Sequence, residues 1–244
     1  AITDRNSIAG VVRAHTAAKD SNLPFVVGCE LRLLDGPPIV VWPKDRVAYG
    51  RLCRLLTLGR SRAMKGSCTL YWSDVAAYSE GLNAGLVLEQ PGQQSVEPNT
   101  LQQGQWYGED RIELRTALPP AAFLPNDDSV WIAWLQHFRS IFNDRGSLLA
   151  TPHFGVDDQL YLQRIHWLAK QSKLSVVAAG NVQYHVAQRM ILHDVLCAIR
   201  HGTTVAEVAN IRPPNASYHL REIEMIKRQF REYPEAIDRT LHIA

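Results

Sequence analysis

Cysteine is scarce in this chain and shows no paired spacing. The four residues, Cys29, Cys53, Cys68 and Cys197, form no CxxC and no metal-knuckle pattern. That excludes a sequence-evident disulfide framework or zinc knuckle and reads as reduced thiols in a cytosolic protein. No uninterrupted apolar run reaches the roughly 18 residues that a membrane-spanning helix needs, and the opening residues do not read as a secretory leader. Neither sign of charge is in excess: 26 Lys and Arg against 24 Asp and Glu leave a formal +2. This balance gives no general electrostatic argument for a nucleic-acid partner and leaves only a local basic face open. The common catalytic fingerprints are missing too: there is no GxSxG elbow, Walker loop, HExxH, or GxGxxG after a strand.

What is present is an ordinary globular composition. The 244 residues are 46% hydrophobic and 20% charged, enough for one large domain or one domain and the start of another. The chain opens on "AIT", which reads as the tail of a buried strand, so the expectation is a fragment or a gene product without its beginning.

Strand-length apolar runs alternate with helix-period segments. Ile8, Val11, Val12 and His15 fall at i, i+3, i+4 and i+7, one helical face. After Pro24, "FVVGCELRLL" reads as a strand, and Asp35-Gly36-Pro37-Pro38 as a turn into "IVVW". Tyr49, Leu52 and Leu56 recur at helical spacing. This succession predicts βαβ units, a mostly parallel sheet and helices covering it. Residues 89–126 lose the pattern, apart from a possible strand in "RIELRTAL". Asn126 or Asp127 then caps a helix ending near Asn143. "SLLATP" follows as a strand, and Tyr161, Ile165 and Leu168 mark another helix. Val176 to Ala179 forms a further strand, followed by a helix carrying Leu192, Val195, Leu196 and Ile199. Beyond a soft boundary at about residues 202–215, Ile223, Ile226 and Phe230 mark one amphipathic helix and Pro234 opens a second. These two helices read as a bridge towards something absent from the chain.

In parallel α/β folds, functional groups collect at the carboxyl ends of strands. Three such positions carry ionisable residues: Asp4, Glu30 and His153. The fourth, after "VVAAG", carries the amides Asn181 and Gln183. Carboxylates and imidazole are ligands for Zn²⁺ or Mn²⁺, so convergence of the three suits a metallohydrolase cluster. Each also has an ordinary reading: Asp4 as a helix cap, Glu30 in an ion pair with a neighbouring Arg, His153 as a hydrogen-bonded loop residue. Arg60, Arg62 and Lys65 in "GRSRAMKG" form a local basic cluster, either a phosphate contact or a solvated loop, the latter favoured by the overall charge. Trp42, Trp72, Trp106, Trp131, Trp134 and Trp167 are scattered and make no stacking platform. His185 and His193 suit core or surface roles.

With the strand ends placed, the order of segments becomes informative. "AITDRNSIAGVVRAHTAAK", "VVGCELRLLDGP" and "YGRLCRLLTLGRSRAMKG" resemble the start of the bacterial family C DNA polymerases, the group of the polymerase III alpha subunit. "VVAAGNVQYHVAQRMILHDVLCAIRHGTTV" and "YPEAIDRTLHIA" continue the resemblance in the same order over nearly the whole chain. "AGVVRA", "RLCRLLTLGR" and "QYHVAQRMILHDVLCAIR" look most like the error-prone branch used in damage-induced translesion synthesis.

The resemblance implies an α/β fold: a distorted (β/α)₇ barrel of the polymerase-and-histidinol-phosphatase (PHP) type, lacking its first strand. The barrel would occupy residues 1–205, with connecting helices over 206–244 leading to an absent polymerase domain. Family members with an intact site bind a trinuclear metal cluster and hydrolyse phosphoesters. Asp4 falls on the aspartate of a "TDH"-like motif whose histidine is Arg5 here, Glu30 on the glutamate of "GCE", and His153 on a histidine after a middle strand. The closing "DxH" is Asn181-Val182-Gln183, and the first histidine pair would lie before residue 1. An amide in place of a carboxylate loses a full charge, and Gln is a poor substitute for an imidazole donor. The expectation is therefore no tightly bound cofactor, at most one weakly held Zn or Mn at Asp4, Glu30 and His153, and no hydrolysis, with the amides bonding to neighbours. The implied parent is a cytoplasmic, Mg-dependent DNA polymerase. Its implied partners are its own polymerase domain, DNA through the parent enzyme, and replication or repair proteins, with no membrane. The alternatives are a free-standing PHP phosphoesterase and a nucleic-acid module using Arg60, Arg62 and Lys65.

Overall fold

Six strands supply the frame: β1 (Ile2–Arg5), β2 (Val27–Leu31), β3 (Ile39–Pro43), β4 (Leu82–Val87), β5 (Gly146–Ala150) and β6 (Ser175–Ala178). In this computed structural model, residues 1–88, 128–208, 212–213 and 215–244 are described. The excursion at 89–126, its "RIELRTAL" strand, the Asn126 or Asp127 cap and Trp106 lie outside them. The helices are α1 (Val11–Asp20), α2 (Arg46–Ser61), α3 (Trp72–Tyr78), α4 (Asp128–Phe142), α5 (Asp158–Ser172), α6 (Met190–His201), α7 (Ile223–Gln229) and α8 (Glu235–Ile243).

The strands pair in sequence order, giving a mixed α/β architecture. β1 and β2 are parallel, as are β4, β5 and β6, while β3 is antiparallel to both of its neighbours. The mostly parallel sheet expected from alternating strands and helices therefore holds for five strands and fails at β3. The reason lies in the turn Asp35-Gly36-Pro37-Pro38, which is too short for the crossover of a dozen or more residues that parallel neighbours require. With β3 alone reversed, the carboxyl ends of the other five strands share one edge.

Both faces of the sheet are buried, which is why β3 reads as an unbroken apolar run. Strand alternation divides its residues. Ile39, Val41, Leu148, Ala150 and Val176 enter the main core, where α2 to α5 contribute Leu52, Leu55, Trp72, Trp134, Phe138, Leu162 and Ile165. Val40, Trp42, Leu149 and Val177 face the other way, into a smaller cluster that Ile243 of α8 helps cover. Phe230 and Ala236, from the segment expected to lead outward, belong to the main core and are 1% and 0% exposed. Arg239 of α8 also donates to the Ser147 hydroxyl at 3.1 Å. α7 and α8 thus fold back on the sheet.

Local chemistry explains the element ends. Asp45 caps α2 by accepting from the Ala48 amide at 2.8 Å. Arg145 donates to the carbonyls of Ser79 and Leu82, both at 2.6 Å, joining the entrance of β5 to that of β4. The helix anticipated from Ile8 begins at Val11. Val11 is buried, but Val12 is exposed, so the four-residue face narrows to its inner edge.

Candidate functional site

Glu30 stands next to last in β2, and the parallel register pairs it with Arg5 of β1. Residues paired across a sheet project to the same face, which brings the two side chains together. The Arg5 guanidinium lies 3.3 Å from Glu30 Oε1, and Arg32 Nε donates to the same oxygen at 2.5 Å. The Glu30 side chain is only 16% exposed, so two guanidinium groups balance a carboxylate largely withdrawn from water.

Asp4 goes elsewhere. It pairs with Cys29, whose side chain enters the main core on the opposite face from Glu30. Its carboxylate accepts the Gly10 amide at 2.8 Å just ahead of α1, the role of an N-terminal acceptor. The loop after β1 is further pinned: Asn6, with φ of 46°, donates its amide to the Glu30 carbonyl at 2.7 Å and accepts the Arg32 amide at 2.9 Å through its side chain. Arg60 donates to the Asn6 carbonyl at 2.9 Å.

His153, three residues beyond β5, is buried. Its amide donates to Asp158 Oδ1 at 3.2 Å, and its carbonyl accepts from Asn215 and Ser217, both at 2.8 Å. The imidazole stacks on Tyr218 with ring centroids 3.9 Å apart and planes 9° from parallel. Neither ring nitrogen has a protein hydrogen-bond partner. Burial pulls its pKa down to about 4, the nearby Arg221 charge adds to the effect, and Asp158 opposes it. Arg221 donates to the carbonyls of Pro152 at 3.1 Å and Gly180 at 3.3 Å, tying the ends of β5 and β6 together.

At the β6 end, Gln183 Nε2 donates to Asn181 Oδ1 at 2.9 Å, a bond between the two amides themselves where bonds to other neighbours were expected. Among the described residues, no three His, Cys, Asp or Glu side chains gather into a metal-holding group. The donor set does not fit a trinuclear centre. Glu30 is engaged by two cations, Asp4 lies across the sheet, His153 is sealed behind Tyr218, and the amides carry no charge to offset stripping water from an ion.

The basic cluster is also largely committed. Arg62 lies 2.8 Å from the buried Asp74, and Arg60 holds the β1 loop. The ion pair of Glu30 with a neighbouring Arg was anticipated and is made twice, by Arg5 and Arg32, whereas sequence reasoning missed Tyr218, Arg221 and Asp158. Arg32 carries a recoverable signal, lying two residues past Glu30 where the chain leaves β2, the spacing that returns a side chain to the same face in extended backbone. Tyr218 and Arg221 carry none, because they arrive from the distant C-terminal segment.

No family model matches the chain. Individual proteins do. The error-prone DNA polymerase of Rhodopirellula baltica is 38% identical over 244 residues, all of this chain and 19% of that protein. Error-prone DNA polymerase 2 of Agrobacterium fabrum is 35% identical over 242 residues, 99% of this chain and 19% of its own length. Error-prone DNA polymerase 1 of the same organism is 32% identical over 243 residues, with the same 19% share. The chain thus spans about a fifth of the length of the curated relatives it matches. Identity at this level, sustained from one end of the chain to the other, makes it the counterpart of one segment of proteins named error-prone DNA polymerase.

Proposed function

We propose that residues 1–244 are the PHP region of a bacterial family C DNA polymerase acting in damage-induced translesion synthesis, and that this region serves as architecture and carries no hydrolytic activity. The observation that carries this reading is the Arg5–Glu30–Arg32 cluster. A phosphoesterase of this type needs Glu30 as an available anionic ligand, whereas here two guanidinium groups occupy its charge. The bond that Gln183 donates to Asn181 supports the same conclusion at a second strand end. At Asp4, Glu30 and His153 at most one weakly held divalent ion is expected, because the first two project to opposite faces.

The parent enzyme would add deoxynucleotides to a primer with Mg²⁺ held by carboxylates outside this segment. Residues 1–244 would contribute a folded support for that polymerase portion and a surface for replication or repair proteins in the cytoplasm. The test is hydrolysis of a small phosphate monoester by the full polymerase with Zn²⁺ or Mn²⁺ supplied. The expected rate is no higher than that of its Glu30→Gln variant. Turnover that depends on Glu30 would replace this reading with that of a PHP phosphoesterase.

A further inference from the structure

A cavity of about 390 Å³ opens between the loop after β5, the start of α5 and the turn from α7 to α8. Phe154, Leu162 and Tyr233 give it aromatic and apolar walls, and Arg228 and Arg231 add positive charge. None of Asp4, Glu30, His153, Asn181 or Gln183 lines it, so it is separate from the strand ends described above. Its volume falls near the lower end of the range of small-molecule sites, roughly 300–1,000 Å³.

Phe154 is the informative wall. Its φ is 57°, a left-handed conformation that glycine adopts freely and a bulky side chain resists. Asp158 holds it there, accepting the Phe154 amide at 2.7 Å. The ring gains little burial in return: it stays 51% exposed, with the Arg221 guanidinium over it at 5.8 Å from its centroid. Neither backbone preference nor core packing accounts for an aromatic at this position, whereas a flat ligand stacked on it would. Tyr233 is already fixed by its own stacking on His166, with ring centroids 3.6 Å apart.

The acids beside the cavity are occupied by protein donors. Asp158 also accepts from Gln229 at 3.4 Å, and Glu232 Oε2 accepts from Gln159 at 2.5 Å. The cations are freer. Arg231 lies 3.7 Å from Glu232 with 76% of its side chain exposed, and no ion pair holds Arg228 among the described residues. What the cavity offers a ligand is therefore aromatic surface beside positive charge. We propose that it binds a nucleoside monophosphate, its base stacked on Phe154 and its phosphate held by Arg228 and Arg231. Guanidinium groups suit phosphate oxygens through paired, charge-assisted bonds, and the small volume suits one base with one phosphate. The inference does not depend on the polymerase reading, since a monophosphate is not the substrate of nucleotide addition.

The experiment photolabels the full-length protein with 8-azidoadenosine 5′-monophosphate and maps the labelled peptides. Label is expected on the peptides carrying Phe154 or Tyr233, displaced by adenosine 5′-monophosphate well ahead of adenosine or inorganic phosphate alone. Phe154→Gly removes the ring and the left-handed penalty together, so labelling should fall on the order of tenfold while thermal unfolding holds its temperature or rises. Arg228→Gln, a change at an exposed side chain, should weaken displacement by the monophosphate on the order of tenfold and leave displacement by adenosine unchanged. No label at these peptides, equal labelling in the variants, or adenosine competing as well as its monophosphate overturns the site. A Phe154→Gly protein that unfolds would make the ring structural and overturn it too. A short single-stranded oligonucleotide that displaces the label at lower concentration than the monophosphate would overturn the mononucleotide and make the cavity a contact for a strand.

Discussion

At Glu30, the carboxylate charge is met by Arg5 and Arg32, and the neighbouring strand position shows why a single residue step matters. Asp4 and Glu30 stand next to last in β1 and β2, and His153 three residues past β5, yet alternation sends Asp4 to one face and Arg5 to the other. Which of the two meets Glu30 depends on the β1–β2 register, and no local pattern in the sequence supplies that. His153 has a pH consequence. Its pKa is about 4 when folded, against 6.5 unperturbed, chiefly because burial disfavours the imidazolium. As pH falls, the unfolded chain takes up this proton first, so stability is lost between pH 6.5 and about 4 and the loss is complete below that. For this nearly inaccessible ring the effect is about 3 kcal/mol. His137, His166 and His193 are shifted in the same direction, each mainly by burial. His153→Phe keeps a ring against Tyr218 and removes two buried nitrogens without partners, so it should be near neutral at pH 7. Urea unfolding at pH 7 and near pH 4.5 should show the variant losing less stability than the parent. Equal losses would remove His153 from the account.

The elements were legible in their existence and less so in their orientation. Apolar runs found five of the strands outright, and helical spacing found α2, α4 and α5. The turn at Asp35–Pro38 was visible as well, but its meaning for β3 required the hairpin constraint to outweigh the alternating pattern. Periodicity also identified the apolar stripe of α6 (Leu192, Val195, Leu196 and Ile199), though it cannot say which way a stripe faces, and here the buried Asp194, paired with Arg212, leaves it outward. Strand packing makes a sharper prediction. A Cβ at Gly28 would meet Thr3 Cγ2 at 2.7 Å and Trp42 Cδ1 at 2.9 Å, whereas one at Gly50, inside α2, would meet nothing within 4 Å. Gly28→Ala should therefore cost about 1–3 kcal/mol by crowding β1 against β3. Gly50→Ala should be neutral or stabilising by about 0.5–1 kcal/mol. Thermal unfolding of the two variants checks the pair, and a harmless Gly28→Ala would mean that the second face of the sheet has slack.

At the scale of the molecule, the carboxyl edge of the sheet is held by contacts within the protein: Arg5 and Arg32 on Glu30, Arg221 across the ends of β5 and β6, and Gln183 bonded to Asn181. Contacts of this kind support the proposed role of the segment as architecture. The similarity to error-prone DNA polymerases was readable from motifs spread along the chain, because they keep their order. The folding back of α7 and α8 was not, since their apolar faces are equally suited to an absent partner and to the sheet they cover. The most direct measurement is the zinc and manganese content of the full polymerase, determined by mass spectrometry after dialysis against a chelator and compared with its Glu30→Gln variant. Well under one equivalent of either metal, unchanged by the substitution, is the predicted result. One or more equivalents retained by the parent and lost with Glu30 would contradict it.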